Sequence, residues 1–225
     1  MVSKVVRTGA NWSLSEITCV LFDLDGTLID TVDLIHKSFD HAVQKVLGKS
    51  LTREELLQNI GRPLAVQMKV FSPTRSDLLM DAYLEYNLAK HDENISKYPH
   101  TTEILTWLVQ EKAMKVGVVT SKKRDLSLRG LRIVGLFDLF DVIVAMEDTK
   151  KHKPDPEPVT TALNLLHCLA SETLFIGDSP FDIDAGRAAG VFTGAALWGP
   201  FSLEQLRAHR PDLELANIND LKLLA

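Results

Sequence analysis

The sequence predicts an α/β protein, a doubly wound parallel sheet with a small inserted α-helical cap. Three observations predict it. From Tyr98 onward, short apolar runs rich in strand formers alternate with stretches of helical spacing. Such repeated β-α units imply parallel strands joined by right-handed crossovers. Between the first apolar run and that alternation, residues 30–97 carry a helical pattern alone.

The elements follow in order. EITCVLF, residues 16–22, reads as a buried strand and runs into the glycine-containing turn DLDGT, residues 23–27. Apolar residues at 34, 35, 39, 42, 43, 46 and 47 recur near the helical period, and Gly48 fits a helix stop. Thr52 with Glu55 forms a capping box for a second helix. Gly61-Arg62-Pro63 breaks the chain before LAVQMKVF, and a long helical stretch starts at Ser76. Helices are then predicted over 102–112, 126–136, 157–169 and 181–190, with strands over 115–121, 140–147, 173–179 and 191–198. The chain divides into a core, residues 1–29 plus 98–225, and a helical cap, residues 30–97.

Composition sets the class. Among 225 residues, 45% are hydrophobic and 24% charged, so a core can be buried and wholesale disorder is excluded. No run of eighteen apolar residues occurs, and the N-terminal stretch lacks the apolar centre of a signal peptide. The reading is a soluble, cytoplasmic protein without membrane contact. A net charge of -5 gives no global attraction for nucleic acid, so any positive charge for an anionic ligand must be local. The two cysteines, Cys19 and Cys168, lack CxxC spacing and read as buried free thiols. Seven histidines show no zinc-like spacing, and Trp12, Trp107 and Trp198 read as packing residues. Monomer and homodimer both remain open.

In open parallel sheets ligands bind beyond the carboxyl ends of the strands. Four such ends carry reactive residues: Asp23 and Asp25, Thr120 and Ser121, Lys153, and Asp178 and Asp182. Each pair alone is an ordinary turn; their joint placement on one edge is not. Converging carboxylates repel unless a hard divalent cation sits among them, and Mg2+ suits a few carboxylates plus a phosphate. On that chemistry Asp23 is the nucleophile and Asp25 the general acid, which keeps its side chain off the metal to retain a usable proton. Asp178 ligates the metal, and Asp182 ligates it or orients from behind. Thr120 offers a hydroxyl and Ser121 a backbone N–H to phosphoryl oxygens, while Lys153 supplies fixed positive charge. Gly26 permits a sharp turn that lets backbone amides approach the phosphate. Arg62, in the rigid turn between cap helices, and Lys122, after Ser121, are the candidate cations for a second anionic group.

These segments resemble the haloacid dehalogenase superfamily over nearly the whole chain. FDLDGTLIDT at 22–31, VVTSK at 118–122, KHKPDPEP at 151–158 and GDSPFDIDAGRAAG at 177–190 carry the resemblance. It implies a Rossmann-like core, an obligatory Mg2+, and metal ligation through the backbone carbonyl of Asp25, so that Asp23, Asp25, Asp178 and Asp182 form the metal set. IGRPL at 60–64, YNLAKHDENISKYP at 86–99 and KVGVVTSKKRDLSLRGL at 115–131 resemble the branch of inorganic pyrophosphatases related to phosphoglycolate phosphatases. The family often has Pro-Gly after the cap, where this chain has Pro99-His100. The expected substrate is pyrophosphate or a small phosphorylated anion such as phosphoglycolate. A phosphosugar mutase and a non-enzymatic phosphate-binding protein are the competing readings. Dehalogenation is disfavoured, because that chemistry needs neither Mg2+ nor Asp25.

Overall fold

The computed structural model describes residues 6–7, 14–57 and 60–224. Among them, seven strands form one sheet in the order β1-β9-β8-β7-β2-β5-β6. These strands are β1 (Val6–Arg7), β2 (Cys19–Phe22), β5 (Lys115–Val119), β6 (Val142–Val144), β7 (Thr173–Gly177), β8 (Phe192–Ala196) and β9 (Leu213–Leu215). All the pairings are parallel except that of β1 with β9, which is antiparallel. The chain leaves β2 for β5 and β6 on one side, then returns to β7 on the other. The strand order therefore reverses at β2, the point where such sheets bind ligands.

Helices α5 (Thr101–Thr106), α6 (Arg124–Ile133), α7 (Glu157–Leu166), α8 (Pro180–Ala189) and α9 (Leu203–Arg207) connect the strands. Alternate strand residues face opposite layers. Val20 and Phe22 of β2 join one apolar cluster with Ile104, Val118 and Leu131, while Cys19 and Leu21 join another with Val159 and Phe175. All four residues of β2 are fully buried, as a strand covered on both faces must be.

Residues 30–97 form α1 (Val32–Leu47), α2 (Arg53–Leu57), α3 (Leu64–Phe71) and α4 (Ser76–Lys90). The expected capping box is present: the Thr52 amide donates to Glu55 Oε2 at 2.9 Å, and the Glu55 amide donates to Thr52 Oγ1 at 3.2 Å. Gly48 ends α1 in the left-handed region. A two-stranded antiparallel ribbon of β3 (Ile29–Asp30) and β4 (Ser96–Lys97), which no sequence pattern announces, pairs the chain entering this segment with the chain leaving it. The helices share an apolar cluster, including Phe39, Met68 and Tyr83, with Ile183, Ala195, Phe201 and Leu206 of the sheet layer.

Several expectations are corrected. The strand expected over 140–147 covers Val142–Val144, because the Asp148 carboxylate accepts the Ala145 amide at 2.7 Å and Lys122 O accepts the Met146 amide at 3.0 Å. Those bonds turn the chain into a 3-10 segment at Met146–Asp148. Cys19 is buried as expected, but Cys168 is half-buried, just after His167 takes the left-handed region that ends α7. Both thiols are free. Trp107 is buried, Trp198 is half-buried, and Trp12 lies outside the described residues. His100, after Pro99 at the end of the helical segment, takes φ 66°. No helix among the described residues is long and apolar enough to cross a membrane.

Candidate active site

Register brings the candidate residues together. Phe22 lies opposite both Val118 and Ile176, so Asp23, Thr120 and Asp178 all leave the sheet at its carboxyl edge. The Asp23 amide donates to Ile176 O at 2.9 Å and the Thr120 amide to Val144 O at 2.9 Å, which extends the ladder to these positions. Carboxylate oxygens of Asp23, Asp178 and Asp182 lie within 4.8 Å of one another, and all three residues are buried.

Lys153 reaches into this cluster from the loop before α7. Its Nζ donates to Asp23 Oδ1 at 2.8 Å, Asp182 Oδ1 at 2.6 Å and Val119 O at 3.2 Å. Burial pulls the Lys153 ammonium down, but Asp182 and Asp23 more than offset it and hold it above the usual lysine range. Burial lifts the Asp23 carboxyl to about 7 against the opposing pull of Lys153. Burial, then Asp23 and Asp182, raise Asp178 well above the carboxylate range. One ammonium does not balance three buried carboxylates, and that excess of negative charge, on oxygen donors alone, fits a hard divalent cation.

Asp182 has both oxygens engaged: Oδ1 by Lys153, and Oδ2 by the Ser179 amide at 3.0 Å and Ser179 Oγ at 2.5 Å. Ser179 is the N-cap of α8 and Asp182 its third residue, so a capping box fixes the carboxylate. Asp178 Oδ1 accepts from Thr27 Oγ1 at 2.7 Å, and Thr27 O accepts from Trp198 Nε1 at 2.9 Å. Gly26 takes φ 86°, and a Cβ there would come within 2.6 Å of Asp178 Oδ2.

Asp25 stands apart from the three-carboxylate cluster. Its Oδ1 accepts from Thr31 Oγ1 at 2.9 Å and from Lys122 Nζ at 2.8 Å. Lys122, expected to meet substrate, thus holds Asp25. Thr120 Oγ1 accepts the Lys122 amide at 3.2 Å, and Ser121 Oγ is buried without a partner. Arg62 stacks its guanidinium 4.8 Å from the Phe181 ring centroid at the rim. Asp23, Asp25, Arg62, Thr120, Ser121, Lys122, Lys153 and Asp178 all line one cavity of about 410 Å³. Sequence reasoning gave no site role to Thr27, Thr31 and Ser179 and read Trp198 as a packing residue alone. The Ser-x-x-Asp spacing of a helix N-cap was readable for Ser179, and Thr27 lay inside the DLDGT segment; Trp198 carried no such signal.

Residues 20–196 match the model of the haloacid dehalogenase-like hydrolases, and the chain belongs to that family. It is a phosphohydrolase. A Caldanaerobacter subterraneus subsp. tengcongensis protein with a provisional pyrophosphatase PpaX name is 44% identical over 197 residues, 88% of this chain and 89% of that one. The pyrophosphatase PpaX of Bacillus pumilus is 39% identical over 207 residues, 92% of this chain and 95% of its own. Among solved structures, a haloacid dehalogenase-like hydrolase of Bacteroides fragilis superposes with a TM-score of 0.84 at 27% identity, covering 91% of this chain and 99% of that one.

Proposed function

We propose that the chain is a Mg2+-dependent inorganic pyrophosphatase working through an aspartyl-phosphate on Asp23. The observation that carries the chemistry is the buried Asp23–Lys153–Asp182 arrangement beside Asp178 at the point where strand order reverses. The substrate reading comes from the pyrophosphatase relatives, which this chain matches over nearly their full length.

Asp23 attacks phosphorus, the bond to the leaving oxygen breaks, and Asp25 gives that oxygen its proton. Asp25 then takes a proton from water as it attacks the aspartyl-phosphate, which frees Asp23 and releases phosphate. Lys122 and Thr31 hold Asp25 in place for both steps. Lys153 orients Asp23, and Thr120 with the Ser121 amide receives phosphoryl oxygens. Asp23, Asp178 and the Asp25 carbonyl would hold Mg2+, with Asp182 orienting Lys153 and the start of α8 rather than ligating. When bound, Mg2+ offsets the negative charge of these carboxylates and of the phosphoryl group. Residues 30–97 act as the cap, with the β3–β4 ribbon as its hinge, and Arg62 meets the second phosphate.

Phosphate release from pyrophosphate, phosphoglycolate, hexose phosphates and nucleotides, with EDTA as control, tests the reading. We expect kcat/KM for pyrophosphate at least about tenfold above the others, about 1.4 kcal/mol of transition-state preference. A flat profile overturns the substrate assignment and leaves the phosphohydrolase.

A further inference from the structure

The two thiols, which catalysis does not use, meet at the sheet edge opposite the active site. Strand β2 runs from Cys19 toward Asp23, so Cys19 lies at the amino edge, level with Lys115 of β5 and Thr173 of β7. Helix α7 starts after Lys153 at the carboxyl edge and runs back, which returns Cys168 to the amino edge. There Cys168 packs against the apolar cluster that contains Cys19, Val159 and Phe175. The two side chains lie within hydrogen-bond reach of each other. Two hydrogen bonds hold the turn in place: the Cys168 amide donates to Leu163 O at 3.0 Å, and Thr173 Oγ1 donates to Leu169 O at 2.8 Å. The thiols differ in access. Cys19 is fully buried, and burial pushes its thiol well up. Cys168 is half-buried. Its Sγ lies 3.7 Å from Leu166 O, and Lys115 Nζ donates to that same carbonyl oxygen. A cation beside the pair favours the thiolate that attacks a peroxide.

We propose that Cys19 and Cys168 form an oxidisable pair, which a hydroperoxide closes into an internal disulfide that staples the end of α7 to the start of β2. The Cys168 thiolate attacks the peroxide. The O–O bond breaks, the departing oxygen takes a proton, and the sulfur becomes a sulfenic acid. The Cys19 sulfur then attacks the Cys168 sulfur. The S–O bond breaks, the hydroxide leaves with the Cys19 proton as water, and the S–S bond forms. The two thiols lose two electrons, and the peroxide gains them. The cross-link joins positions far apart in sequence and so constrains the unfolded chain. It stands at the opposite edge from Asp23, so turnover stays the same.

The test treats the reduced wild-type protein with hydrogen peroxide and quenches with catalase. We expect the intact mass to fall by two hydrogen atoms, a linked Cys19–Cys168 peptide pair on mapping, and reversal by dithiothreitol. Tm should rise by at least about 5 °C, while kcat/KM for phosphate release stays within about twofold. Dimedone should label Cys168 in Cys19→Ser and not in the wild type. Cys168→Ser, at a half-buried position that tolerates the change, should show neither the mass loss nor the rise in Tm. A Cys168 sulfinic acid with Cys19 still open to alkylation after unfolding overturns the proposal, as does a disulfide between two copies of the chain. An unchanged mass overturns it too, and a linked pair with no gain in Tm overturns the staple.

Discussion

Burial lifts the Asp23 carboxyl from 3.8 to about 7, while Lys153 pulls the other way. The native state therefore binds more protons than the unfolded chain between those values. The contribution of Asp23 to metal-free stability should be fully present below about 4 and fall as pH rises from about 4 to 7. A bound cation offsets the cost of the ionised form. The gain in Tm from saturating Mg2+ over EDTA should thus grow as pH rises from about 4 to 7; a gain constant across pH 4–8 contradicts the charge balance drawn for the site. The two acids behind Asp23 should also separate. Asp178 and Asp182 are equally buried, but both Asp182 oxygens are held by Lys153 and Ser179. Titration calorimetry should find that Asp178→Asn weakens Mg2+ binding more than Asp182→Asn does, and that Asp182→Asn chiefly lowers kcat by loosening Lys153. Equal losses of affinity would make Asp182 a ligand.

At the scale of elements, α8 begins inside the site. Its capping box ties helix stability to the placement of Asp182, because the carboxylate that holds Lys153 also accepts from Ser179. Ser179→Ala should cost about 1 kcal/mol and lower Tm by about 2–4 °C. It should also reduce kcat, since Asp182 loses its second anchor. A Tm shift with kcat unchanged would show that the box serves the helix alone. The β-strands work by register rather than by side chain. β2, β5 and β7 end level, so residues far apart in sequence reach one edge without any loop having to search for it.

Over the whole molecule, the cluster containing Phe39, Met68 and Tyr83 continues into Ile183, Ala195, Phe201 and Leu206, so the helical segment is packed onto the sheet layer by apolar contact. Phe201, 7% exposed, lies in that seam. Phe201→Ala should cost about 3–5 kcal/mol, and far-UV circular dichroism and tryptophan fluorescence should report one shared midpoint of unfolding. Two separated transitions would mean that the helices and the sheet unfold independently.

Alternation of apolar runs with helical spacing made the doubly wound sheet readable, because a parallel strand buried on both faces has to be apolar and its crossover has to be amphipathic. The strand-end acids were readable for a related reason: polar residues directly after a buried run must lie at the sheet's edge. Other parts carried no local signal. β9 is three residues long and includes Glu214, buried against Arg207, which is opposite to what a strand's composition suggests. The β3–β4 ribbon is two residues on each side, and its pairing is decided by the ends of the helical segment meeting in space. Lys122 looked like a free cation in a basic run until the fold set it 2.8 Å from Asp25. By itself, then, the sequence determined the family, the layer order and which acids gather at the carboxyl edge, because hydrophobic period and strand-end position are local properties of the chain. The tertiary structure alone decided which carboxylate Lys153 and Lys122 each hold, and that Asp182 is occupied by its own helix cap, because pairing arises only when distant segments share one space.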